Sequence, residues 1–150
     1  MANIRAPLNR TMTLSEDELI GYKALLATLK SPATLENIQD KLFCQDVVTA
    51  LPHLPDHSVD LMFADPPYNL TKSFNDRKFR KVSTEDYAEW LDSWLSLTVR
   101  LLKPTASVYI CGDWRSSAAI QRVGEKYFTS QNRVTWEREK GRGAKTNWKN

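Results

Sequence analysis

The four residues Asp65-Pro66-Pro67-Tyr68 bring together, at consecutive positions, the groups needed to hold a planar amine. Two successive prolines remove two backbone donors and fix two φ angles. Each proline also bars its predecessor from helical geometry, so the loop is stiff. It presents a carboxylate, bare carbonyls and an aromatic ring in fixed directions. Asp65 and the Pro66 carbonyl could each accept one N–H of an amino group, with Tyr68 stacked on the ring that bears it. Holding both hydrogens out of the ring plane redirects the nitrogen lone pair toward an electrophile. A proline-rich turn with a capping Asp is the bland alternative, and physics alone weighs the two about evenly.

The elements around this loop must position it. Val59-Asp60-Leu61-Met62-Phe63-Ala64 reads as an apolar strand ending at Asp65, and ligands of parallel α/β sheets bind beyond the carboxyl ends of strands. Upstream, Leu42-Phe43-Cys44 reads as a short buried strand ending in Gln45-Asp46. Val47 to Leu51 reads as a short helix broken by Pro52 and Pro55. Downstream, Ser83 and Asp86 make a capping box ahead of a helix with apolar residues at Tyr87, Trp90, Leu91, Trp94, Leu95, Thr98, Leu101 and Leu102. Pro104 ends that run. Ser107 to Cys111 is a third strand closed by Gly112-Asp113-Trp114, followed by a helix near Arg115–Tyr127 and a strand near Arg133–Glu137. Residues 1–12 read as a loose leader. Ser15 with Glu18 caps an appended helix through Leu19, Tyr22, Leu26 and Leu29, stopped by Pro32. Strands alternating with helices imply an α/β fold with a largely parallel sheet.

Composition narrows the classes. The 150 residues are 41% hydrophobic and 10% aromatic, enough for a core, and no run approaches the ~20 apolar residues of a membrane span. The start of the chain has no apolar signal region. Cys44 and Cys111 form no C-x-x-C pair and follow apolar residues, which reads as buried reduced thiols in a cytoplasmic protein. The net charge of +3 is unevenly spread: residues 1–75 carry six basic and nine acidic residues, residues 76–150 fifteen and nine. Residues 138–149 alone hold five cations and one anion, a composition that neutralises phosphates or simply forms a solvated tail.

Asp65-Pro66-Pro67-Tyr68-Asn69 behind the 59–64 strand resembles the signature of S-adenosylmethionine-dependent DNA amino-methyltransferases. Its Asp-first form resembles the adenine-N6 branch. Three further stretches match in order: Gln45-Asp46, the strand from Ser107 to Trp114 behind Leu101-Leu102-Lys103-Pro104, and Val134 to Lys140, similar to the strand and loop flanking the target base. Because the catalytic motif comes first, the resemblance is to the permuted group. It implies an incomplete Rossmann-like methyltransferase sheet with an amino-terminal helical extension. The implied organisation is a leader and appended helix over 1–40, a partial catalytic domain over 41–137, and the basic start of target recognition over 138–150. The implied reaction is methyl transfer from S-adenosyl-L-methionine to adenine N6 in double-stranded DNA, of restriction-modification or orphan type, with the base flipped from the duplex. Asp65, Pro66, Pro67 and Tyr68 would be catalytic, and Asp46, Asp65 and Asn69 would hold cofactor. Arg77, Lys78, Arg80, Lys81, Arg138, Lys140, Arg142 and Lys145 would contact DNA.

The chain departs from the family pattern in one respect. None of its five glycines makes the Phe-x-Gly-x-Gly loop that contacts the cofactor, so the resemblance implies an amino-terminal part, inactive alone, completed by a separate or continuing chain. The alternatives are a non-catalytic nucleic-acid-binding fragment, a cytosine-N4 enzyme, or methylation of RNA or protein. His53 and His57 have the i, i+4 spacing of metal ligands, but the flanking prolines argue against a helix there and no metal site is expected. Trp90 and Trp94 read as core. Asp113 reads equally as a site residue or a helix cap, and Asn69 equally as a cofactor contact or a turn brace.

Overall fold

The computed structural model describes residues 13–74 and 77–136, so the leader over 1–12 and the basic segment over 138–150 lie outside the described residues. The described part divides into two compact units. One runs up to Pro66 and includes Trp90–Cys111; the other comprises Pro67–Glu89 and Gly112 onward.

The first unit opens with α1 (Glu16–Ala24), whose capping box is complete: Ser15 N–H donates to Glu18 Oε2 at 2.8 Å, and Glu18 N–H donates to Ser15 Oγ at 3.2 Å. The carboxylate also accepts from Ser15 Oγ at 2.9 Å, and its bonds from the Ser15 backbone N–H first and the hydroxyl second hold the Glu18 pKa below its ordinary value. The helix stops at Ala24 instead of reaching Leu29. Ala27 leaves it for a parallel bridge to Phe43, with Ala27 N–H donating to Leu42 O at 2.8 Å, and the Gln45 carboxamide binds both the N–H and C=O of Leu29. Non-local hydrogen bonds thus override the apolar periodicity. The expected strand over Leu42–Cys44 shrinks to that one bridge, and Cys44 is exposed rather than buried.

After α2 (Leu35–Ile38), Asp46 caps α3 (Val47–Ala50), and a 3-10 turn over Leu51–His53 leads into β1 (Val59–Ala64), the strand with the bounds that the sequence suggests. β1 pairs in parallel with β4 (Leu102–Ile110), and Phe63↔Tyr109 and Ala64↔Ile110 are in register. Near their start the pairing jumps from Val59↔Leu102 to Leu61↔Ser107. The irregularity contains Pro104, which has no N–H to give the ladder.

Between these strands lie the antiparallel pair β2 (Lys72–Phe74) and β3 (Arg77–Phe79), then α4 (Thr84–Thr98). Its amino end is capped by Ser83 Oγ, which accepts from Asp86 N–H at 3.0 Å. α4 ends at Thr98, followed by a 3-10 turn over Val99–Leu101, so Leu102 is the first strand residue and not the last helical one. Leu51, Leu91, Trp94, Leu95, Leu101 and Leu102 form the buried core of the first unit. Trp90 is not core: it is 41% exposed and packs edge-on to Trp94 at 6.2 Å between ring centroids.

In the second unit Tyr87 and Ala88 from the start of α4 are buried, as are Ser116 and, from α5 (Ser117–Gly124), Ala119 and Val123. Gly112 leaves room for α5, since a Cβ there would meet Ile120 Cδ1 at 2.4 Å. The strand expected near Arg133 does not form: residues 131–136 are irregular, with Val134 and Trp136 exposed. No described strand lies alongside to pair with it. Rows of β1 and β4 also leave Leu61, Phe63 and Tyr109 exposed, with the Phe63 and Tyr109 rings stacked at 6.4 Å.

Candidate active site

Asp65 follows the last residue of β1. The ladder extends one bond beyond the strands, from Cys111 N–H to Ala64 O at 2.8 Å, so the carboxyl ends of β1 and β4 finish level. Asp65 is exposed there, and Pro66 is buried behind it. The thiol of Cys111 has its pKa raised, chiefly by burial and further by the neighbouring Asp65 carboxylate. This unit therefore presents a carboxylate to solvent from a strand end that is rigid on one side through the ladder and on the other through proline.

Pro67, Tyr68 and Asn69 open the second unit, and this half of the motif is heavily braced. Tyr87 Oη donates to Pro67 O at 2.9 Å. Asn69 N–H donates to Ser116 Oγ at 3.3 Å. The Asn69 carboxamide bonds the Val82 backbone twice, accepting its N–H at 2.8 Å and donating to its C=O at 3.0 Å. Burial pushes the Tyr87 pKa up, the nearby Ser116 hydroxyl opposes this, and Asp113 adds to it. Tyr87 is thus held protonated, as a donor, through the neutral range. Ser116 is fixed in turn by Asp113, whose Oδ1 accepts the Ser116 N–H at 2.8 Å. Asp113 thereby closes the turn that leads into α5, whose own N-cap position, Ser116, makes no side-chain cap bond. Neither Tyr87 nor Ser116 stands out in the sequence: the first looks like a helical core residue, the second like an ordinary serine before a helix.

Asp46 is exposed and accepts the Val48 and Thr49 N–H groups through Oδ1 at 3.0 and 3.3 Å. Arg77 and Lys78 fall in β3 by their backbone, and Arg80 and Lys81 follow it, Lys81 exposed. Arg138, Lys140, Arg142 and Lys145 lie outside the described residues. One open groove of about 330 Å³, lined in part by Leu29, Pro32, Lys41 and Phe43, includes none of the predicted site residues. Among the described residues no three His, Cys, Asp or Glu side chains gather as metal ligands, and no helix is long and apolar enough to cross a membrane. Trp114 is 70% exposed, with the Arg115 guanidinium 4.8 Å from its ring centroid.

The described residues make a mixed α/β structure with a small parallel two-strand sheet, and Asp65-Pro66 stands at the end of that sheet. The chain belongs to the N6/N4 DNA methylase family, whose model matches residues 59–150. It is 37% identical over 70 residues to the type II methyltransferase M.BamHI of Bacillus amyloliquefaciens, covering 47% of this chain and 16% of that protein. It is 31% identical over 110 residues to the type II methyltransferase M.HpaI of Haemophilus parainfluenzae, covering 71% of this chain and 34% of the relative. The DNA adenine methyltransferase YhdJ of Escherichia coli K12 is 31% identical over 105 residues, 70% of this chain and 35% of its own length. The chain thus spans about a sixth to a third of these relatives.

Proposed function

We propose that the protein is the catalytic-loop part of an S-adenosylmethionine-dependent DNA adenine-N6 methyltransferase. The observation that carries this reading is that Asp65-Pro66, the start of the Asp65-Pro66-Pro67-Tyr68 motif, stands at the level carboxyl ends of a parallel strand pair. Resemblance to a relative named as an adenine methyltransferase supports the choice of adenine. Asp65 accepts one N–H of the flipped adenine amine, and the Pro66 carbonyl accepts the other. Tyr68 stacks on the ring. Together they aim the nitrogen lone pair, and alignment is the main catalytic contribution of these residues. The cofactor, when bound, supplies an electrophilic methyl group. Of the residues here, Asp46, with a carboxylate oxygen not used in capping, Asp65, and Asn69, with one carboxamide N–H beyond the one given to Val82, would hold part of it. No glycine loop of the family type occurs in these residues, so the 150-residue chain alone binds cofactor weakly and does not turn over. A polypeptide supplying that loop, separate or continuous, completes it. Arg80, Lys81 and the basic residues 138–145 contribute phosphate contacts.

The test is transfer of labelled methyl from S-adenosylmethionine to duplex DNA by the completed enzyme, comparing the unsubstituted protein with Asp65→Ala. A loss of about a hundredfold or more in kcat is the expected result, in the range for a mispositioned reactant. Near-normal transfer by Asp65→Ala contradicts the reading.

A further inference from the structure

Two bonds on the second unit hold the loop on either side of Tyr68: Asn69 N–H donates to Ser116 Oγ at 3.3 Å, and Tyr87 Oη donates to Pro67 O at 2.9 Å. Each direction is forced, since a backbone N–H can only donate and a carbonyl can only accept. Both hydroxyls belong to buried residues, Tyr87 at 4% and Ser116 at 1% exposure, where an unmet partner is costly. The two bonds fall on the two residues that flank Tyr68. They therefore clamp both peptide groups around the ring that receives the base. The Asn69–Val82 pair adds a second clasp on the same side.

We infer that Tyr87 and Ser116 are positioning residues of the methyl-transfer site: their two hydroxyls, one on each side, hold Pro67 and Asn69 so that Tyr68 is preset for the flipped base. The inference rests on the reading of Tyr68 as the stacking residue and deepens it. Neither side chain touches substrate. Their effect passes through the loop, so it falls on the step that needs alignment and not on cofactor affinity. Tyr87→Phe deletes one hydroxyl and keeps the buried ring. Ser116→Ala deletes the other and keeps the Ser116 backbone bonds to Asp113 and Ile120.

The test has two readouts on these variants. Amide exchange in the 150-residue chain follows Asn69 N–H, with Ile120 N–H, bonded to Ser116 O at 3.0 Å, as the internal control. Ser116→Ala should speed exchange at Asn69 about tenfold while Ile120 changes less than about twofold, and Ser116→Thr, which restores the hydroxyl, should recover protection. In the completed enzyme both deletions should lower kcat about tenfold or more, with KM for S-adenosylmethionine within about twofold. Variants that leave Asn69 exchange and kcat unchanged overturn the positioning role. So does an equal rise at Ile120, since that marks a general loss of structure. If the unsubstituted completed enzyme transfers no methyl to DNA, the methyltransferase reading falls and this role falls with it. The Asn69 exchange result tells the two failures apart.

Discussion

Arg100 gives the sharpest structural prediction, because one guanidinium holds the whole approach to β1. Its Nη1 donates to Leu54 O at 3.0 Å and pairs with the Asp56 carboxylate, and its Nη2 donates to Leu51 O at 2.6 Å. The same segment is tied by His57 N–H to Arg100 O at 3.0 Å and Ser58 N–H to Leu101 O at 2.9 Å. His57 sits there at φ 49°, a left-handed conformation held by its neighbours, including a contact of Nδ1 with Leu102 O at 3.1 Å. The ion pair itself is worth little, since the Arg100 and Asp56 side chains are 40% and 60% exposed. The two carbonyl bonds matter more: charged donors contribute ~1.5–3 kcal/mol each when buried, and partial exposure roughly halves that. Arg100→Ala should therefore lower the free energy of local opening at Ser58 by about 2 kcal/mol, that is, speed its amide exchange roughly thirtyfold. Asp56→Ala should change it less than about fivefold, and Arg100→Lys should resemble the alanine variant because a single ammonium cannot serve both carbonyls and the carboxylate. Amide exchange by NMR, at low salt and at about 0.5 M, reads all three, and salt should narrow only the Asp56 effect. Equal effects of Arg100→Ala and Asp56→Ala, or exchange at Ser58 within about twofold of the original in Arg100→Ala, refute the reasoning.

Other expectations follow from the same geometry. Leu95→Ala, at 1% exposure in α4, should cost ~2–5 kcal/mol and loosen the packing around Trp94, seen as a red shift of tryptophan emission. In a Cys44→Ser background, alkylation of Cys111 should need a higher pH than for an ordinary thiol, and Asp65→Asn should move that midpoint down by the smaller, charge-derived part of the shift while burial keeps the rest. Because the folded-state pKa of Glu18 is depressed, its contribution to α1 is present above the unfolded pKa and is lost as pH falls through the folded one. Circular dichroism should show that acid loss; Ser15→Ala should reduce it without abolishing it, because the residue-15 backbone N–H still binds the carboxylate, and Glu18→Gln should remove the Glu18 part. Affinity for duplex DNA should fall steeply with added salt, and neutralising Arg80 and Lys81 should flatten that slope by about one for each phosphate they no longer neutralise.

Much of the local framework was legible from short-range chemistry. β1 begins and ends where apolar residues give way to Ser58 and Asp65, and the Ser15–Glu18 box and the Ser83 cap are local hydrogen bonds that neighbouring residues dictate. What local patterns miss is set from far along the chain. Leu26 and Leu29 carry helical periodicity, yet Phe43 and Gln45, some sixteen residues on, capture that segment. Leu102 continues the helical face of α4, but pairing with Val59 makes it a strand residue. Val134 and Trp136 carry strand-forming types with no described neighbour to pair with. The brace of the motif was hidden for the same reason: Tyr87 and Ser116 stand 20 and 47 positions from the Pro67 and Asn69 groups they hold.

The most direct test of the account is the chemical identity of the product. DNA incubated with the completed enzyme and S-adenosylmethionine carrying a deuterated methyl group should be digested to nucleosides and analysed by mass spectrometry. N6-methyladenine bearing the deuterated methyl, lost with Asp65→Ala, is the result predicted. Label in N4-methylcytosine, or none in DNA at all, would contradict it.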